Sequence, residues 1–159
     1  MAGSVRVDAN DREGGKSVAI RQFVTFRVKG DLLGIDVLQV REVNRMLEVT
    51  PVPKAPPYVR GLVNLRGQTL TVFDLGIRLK LSPSEITAES HNVVLKHQLV
   101  GLLVDAIGNI VQCEEDDVDA CPANACSIEA KFIEGVLQME DELLVILRSK
   151  KLLEYAGGK

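Results

Sequence analysis

Of 159 residues, 46% are hydrophobic, enough for a substantial core, but only 4% are aromatic and Trp is absent, so branched aliphatics must carry the packing, and these favour strands. The net charge of −3, from 19 basic and 22 acidic side chains, lacks the clustered cationic field that phosphate neutralisation needs, which argues against a nucleic-acid binder. No apolar run approaches the roughly 20 residues of a membrane-spanning helix, so membrane insertion is not expected.

The first residues, MAGSVRVDANDREGGKS, are polar and glycine-containing and lack a signal-peptide core. They predict a disordered leader over residues 1–18 and a chain that stays in the cytoplasm, where thiols are kept reduced. The three cysteines, Cys113, Cys121 and Cys126, are odd in number and confined to one stretch, unlike a disulfide framework.

From Gln22 onward the pattern is of short strands separated by turns. Val24, Phe26 and Val28 alternate with polar residues, so one face is buried and the other wet. Lys29-Gly30-Asp31 forms a turn and Leu32 to Ile35 returns. Asp36 is placed to cap a helical turn carrying Val37 and Val40, and Glu42-Val43 opens another strand. Thr50 to Pro57 contains four prolines, which donate no backbone hydrogen bond, and so crosses the surface as a loop. Leu62 to Arg66 and Thr69 to Phe73 predict a hairpin with Gly67 at its turn. At the other end, Ser149 to Tyr155 predicts a capped final helix.

The second half repeats this plan. Tyr58-Val59-Arg60-Gly61-Leu62-Val63-Asn64-Leu65 aligns without a gap to Phe132-Ile133-Glu134-Gly135-Val136-Leu137-Gln138-Met139, and Leu70, Val72 and Phe73 continue into Leu144, Ile146 and Leu147. Leu33-Gly34-Ile35, Val37, Val40 and Val43 align to Val100-Gly101-Leu102, Val104, Ile107 and Ile110. The first offset is 74 residues (Gly61 to Gly135) and the second 67 (Gly34 to Gly101). The extra residues of the later copy fall in the acidic stretch Gln112 to Ser127, expected as a longer, mobile surface loop. Two such copies predict an all-β protein of two small barrels packed together, since closing each sheet removes its exposed edges. The expected organisation is a leader to residue 18, one domain over residues 19–155 with halves at roughly 20–88 and 89–150, and a flexible tail at 156–159.

The segment Val59-Arg60-Gly61-Leu62-Val63-Asn64-Leu65-Arg66-Gly67-Gln68-Thr69-Leu70-Thr71-Val72-Phe73-Asp74-Leu75 resembles the signature of the CheW family, in which a short helix runs into a G-[VL]-x-N-L-R-G hairpin and a strand ending in Asp-Leu. Phe23 to Phe26, Gly34 to Val43, Val100 to Asp105 and Phe132 to Leu153 resemble further blocks of that family in the same order, so the likeness covers about residues 20–155. It implies two intertwined five-stranded barrels of SH3-like type, with strands exchanged between them and a hydrophobic groove where they meet. It also implies an adaptor without catalytic activity, cofactor or small-molecule substrate. Its partners would be the cytoplasmic tip of a methyl-accepting chemoreceptor and the regulatory domain of a CheA-type histidine kinase, met in receptor arrays at the inner face of the membrane. The partner-binding positions so implied are Val40, Glu42, Leu62, Asn64, Arg66, Gly67, Val93, Val94, Gly101, Val104 and Asp105. Pilus and gliding pathways use similar adaptors.

Other chemistries find little support in the sequence. There is no G-x-S-x-G elbow, no phosphate-binding glycine loop, and only two histidines, His91 and His97, at strand or turn positions. Cys113, Cys121 and Cys126 lie near five carboxylates between Glu114 and Asp119, which makes a metal- or redox-sensing module the alternative reading. Paired zinc knuckles are missing, and the carboxylates would raise the thiol pKa values.

Overall fold

The computed structural model describes residues 4–7, 18–45, 48–122 and 127–154, with side chains from residue 19 onward. Cys126, Tyr155, the tail and most of the leader lie outside the described residues. Within the leader, Ser4–Val7 form a strand, β1, antiparallel to the start of the next strand. The alternation of Val5 and Val7 with Ser4 and Arg6 suits a strand, so the expected disordered leader holds an ordered element.

Ten further strands build the body: β2 (Val18–Val28), β3 (Asp31–Asp36), β4 (Val40–Arg45), β5 (Val59–Leu65), β6 (Gln68–Asp74), β7 (His91–Leu95), β8 (Val100–Val104), β9 (Ala106–Glu114), β10 (Ile133–Gln138) and β11 (Leu143–Leu147). Two short helices follow β6 and β11: α1 (Leu75–Arg78) and α2 (Ser149–Leu152). Asp36 caps the 3-10 turn Val37–Gln39 by accepting from the Leu38 N–H, as the sequence predicts. Asp74 caps α1 by accepting from the Ile77 N–H. Arg148 precedes α2 without a side-chain capping bond, so the final helix is shorter than expected and lacks the expected cap. Gln112, Cys113 and Glu114 extend β9 along β2, so the expected loop begins only at the 3-10 turn Glu115–Asp117. β5 starts directly from the Pro56–Tyr58 turn, with no helix ahead of it.

The strands form two barrel-like sheets. A terminal sheet, holding strands from both ends of the chain, runs β1-β2-β3-β11-β10 with β9 also pairing to β2, and a central sheet runs β4-β7-β8-β6-β5. Each half of the sequence therefore gives two strands to one sheet and three to the other, and the expected boundary at 88/89 runs through both sheets and not between them.

The two sheets match strand for strand. In one, β11 runs parallel to β3 with Ile146 opposite Gly34; in the other, β6 runs parallel to β8 with Val72 opposite Gly101. These are the residues that the two offsets equate. Bulges recur as well, at Gly61 in β5 and at Gly135 in β10. Outside each bulge a crossing segment makes one bridge, Thr50 to Leu62 and Asp119 to Val136. The glycines admit that segment, because a Cβ on Gly61 would stand 2.2 Å from the Thr50 carbonyl oxygen and one on Gly135 would stand 2.8 Å from that of Asp119.

Three apolar clusters follow from this. The largest lies between the barrels, where Val24, Phe26 and Ile35 meet Val93, Leu102 and Val104, with Tyr58 and Phe132 alongside. Phe23, Leu137, Leu144 and Ile146 fill the terminal barrel. Val63, Val72 and Leu103 fill the central one. The central barrel is the less apolar inside: Asn92 holds the register position of Phe23, fully buried, with neither amide atom hydrogen-bonded.

Candidate docking face

The exposed side of the central barrel carries the clearest polar constellation. β5 and β6 are joined by Arg66-Gly67, both with positive φ (50° and 85°), as a type I′ turn requires. The Asn64 Oδ1 accepts from the Gly67 N–H at 3.1 Å and fixes the turn. The Arg66 guanidinium then reaches Glu42 on β4, donating from Nη2 to Oε2. Asn44 Nδ2 donates to the other carboxylate oxygen at 3.3 Å.

This pair does not span neighbouring strands. β4 and β5 are the opposite edges of the central sheet, so the contact closes the barrel across its seam. Arg66 remains 66% exposed and Glu42 23%. The Arg66 hydrogen bond is the chief cause holding the Glu42 carboxyl below the usual carboxylate range, against a smaller opposing effect of burial. A guanidinium is thus anchored at one oxygen while its remaining donors face solvent.

The other expected partner residues divide into two groups. Val40 is half-buried against the core between the barrels, Leu62 is half-buried, and Asn64, Arg66 and Gly67 are exposed. Val93, Val94 and Val104 are 0% exposed. Gly101 is buried too, and a Cβ there would meet Asn92 Oδ1 at 2.0 Å. These four are packing residues, because β7 and β8 are central strands covered on both faces. Asp105 accepts from the Lys29 N–H at 2.7 Å and so braces the β2–β3 turn.

Two arrangements escaped the sequence reading. Arg21 bridges Asp36 (2.7 Å) and Glu134 (2.8 Å), tying β2 to β10, and stacks over Phe23. Arg78 is buried between the rings of Tyr58 and Phe132 and donates to the carbonyls of Lys151, Leu152 and Glu154 at the end of α2. No local pattern marks either, since their partners lie far away in sequence. Among the cysteines, burial and then Asp117 push the Cys113 thiol pKa up, which opposes thiolate chemistry. Among the described residues no three His, Cys, Asp or Glu side chains are grouped for a metal ion, and no helix is long and apolar enough to cross a membrane.

Two interlocked β-barrels with an ion pair across the seam of one define a β-scaffold. The chain belongs to the family of CheW-like domains, whose description matches residues 22–157. It is 34% identical over 129 residues to the chemotaxis protein CheW of Rhizobium meliloti, covering 80% of this chain and 83% of that one. It is 30% identical to the CheW of Bacillus subtilis, over 87% of this chain and 90% of that protein. Among solved structures it is similar to the scaffolding protein TtCheW from Thermoanaerobacter tengcongensis, with a TM-score of 0.78, 28% identity, and 86% and 89% of the two chains covered.

Proposed function

We propose that this chain is a non-catalytic adaptor that joins the cytoplasmic tip of a chemoreceptor to the regulatory domain of a CheA-type histidine kinase. The observation that carries this reading is the anchored, outward-facing guanidinium of Arg66 beside Glu42, Asn64 and Gly67. Membership of the family supports it, as do relatives named for chemotaxis and for scaffolding across most of their length. Holding two partners on one small body raises their effective concentration, which is the whole chemistry such an adaptor needs. The interfaces are expected near the small end of the standard range, about 1,200 to 2,000 Å² in total, so that they exchange.

The test is pull-down of the full chain against a CheA regulatory domain and, separately, a receptor hairpin tip, at low salt. Both should be retained by the wild type, and the Arg66→Glu variant should lose one while keeping the other. Absence of binding to both at about tens of micromolar would overturn the reading. The likeness to the protein FrzA of Myxococcus xanthus, 29% identical over 86% of this chain, favours including tips from pilus and gliding systems in the same panel.

A further inference from the structure

A second surface lies away from the Arg66 turn, where α2 meets the β7–β8 loop. Two hollows run together there, sharing Gln39, Ser149 and Lys150. One, of about 400 Å³, is cationic. Its carboxylates, Asp36 and Glu134, are both held by Arg21, and Lys151 pairs with Glu154 at 3.5 Å. Arg148 spends only its Nε, on the Ile133 carbonyl, and neither it nor Lys150 has a carboxylate partner among the described residues. The other hollow, of about 280 Å³, has Leu95 and Leu153 in its wall beside Gln98 and His97.

The symmetry of the fold sharpens this. Arg148 stands at the position of Asp74, which is fully buried, caps α1 and pairs with Arg60 at 3.1 Å. In the second copy that inward carboxylate has become an exposed guanidinium. The change places unpaired positive charge on a chain whose net charge is −3.

We propose that this groove docks an acidic polypeptide segment, its carboxylates on Arg148 and Lys150 and one aliphatic side chain in the Leu95–Leu153 hollow. A phosphate ligand would use the cations and leave the leucine-lined hollow unfilled, whereas carboxylates beside a Leu fill both. The proposal does not rest on the adaptor reading, because it uses none of the Arg66 face.

Its test is an amide NMR titration of the full chain with the acetylated peptide Glu-Leu-Glu-Glu-Leu-Glu, and with the same peptide carrying Lys for each Glu. Shifts should concentrate at Gln39, Leu95, His97, Ser149 and Lys150, and binding should weaken several-fold between about 50 and 200 mM salt as screening lengths shorten. The Arg148→Gln/Lys150→Gln double variant should bind at least tenfold more weakly with an unchanged melting temperature. If it melts early, Lys150→Gln alone serves, with a smaller loss expected. Arg66→Glu should bind the acidic peptide as the wild type does, whatever becomes of its kinase or receptor binding. Equal binding of the lysine peptide, shifts elsewhere, undiminished binding by a folded variant lacking these cations, or no binding of the acidic peptide would each overturn the proposal.

Discussion

At the scale of single residues, Arg78 and Arg66 show how differently one side-chain type is used. Arg78 is buried, its Nε and Nη2 donating to carbonyls at the end of α2, where a helix terminus leaves backbone acceptors short of partners. Arg78→Leu removes the donors to the Leu152 and Glu154 carbonyls and the buried cation between two rings, and should cost about 2–4 kcal/mol in chemical denaturation. Arg66, by contrast, is exposed, and Arg66→Glu should leave the melting temperature nearly unchanged while receptor-dependent kinase activation falls sharply. The reversed pair, Glu42→Arg with Arg66→Glu, should restore the contact across the seam but not the partner. Normal kinase activation by Arg66→Glu would make that residue bystander surface. The pair also has a pH signature. Because the Glu42 pKa is depressed in the folded chain, its contribution is full above the unfolded value and is lost as pH falls through the lower folded value. Side-chain NMR should place the Glu42 midpoint below the ordinary carboxylate range, and Arg66→Ala should move it upward.

Elements are held in place here by glycines of two kinds. Gly61 (φ +148°) lies at a bulge with the Thr50 backbone against it, whereas Gly67 (φ +85°) sits in an open turn, with nothing within 4 Å of where a Cβ would stand. Gly61→Ala must displace backbone as well as strain φ, and should cost about 2–4 kcal/mol. Gly67→Ala incurs only the left-handed conformation, roughly 1 kcal/mol. Thermal unfolding of both variants checks the ranking, and equal losses would show that the crossing segment yields. Both glycines are visible in the sequence, and so are the hairpins and the Asp36 cap, because periodicity and turn residues are local signals. The docking pair was legible only in part. Its two members stood out, but their placement across a seam depends on sheet order, which no local pattern encodes. For Val93, Val94 and Val104 the same apolar character serves a core strand or a groove wall, and only the second layer packed over them decides.

For the whole molecule, the duplication was legible as matching blocks, whereas the exchange came only with the family resemblance. Matching blocks state which segments are alike; they do not state which pair with which. Since β2 and β3 complete a sheet with β9, β10 and β11, the division at 88/89 that looks natural in sequence yields no finished barrel. Two fragments cut there should each be unfolded by circular dichroism and should regain strand signal on mixing. A folded fragment alone would contradict the interlock. The core between the barrels draws on both sheets, so the intact chain should unfold in one cooperative transition.

The interlock also orders events during synthesis. A ribosome delivers β2 and β3 first, yet their sheet partners start only at Ala106, after the entire central sheet has emerged. Until then the long β2, whose Phe23 and Phe26 end fully buried, has no partner but the β3 hairpin and the short β1. Nascent chains whose residues have cleared the ribosome only as far as β8 should therefore hold the central-sheet strands beside an open, apolar β2–β3 ribbon, the kind of edge that invites chaperones or pairing between neighbouring chains on one message.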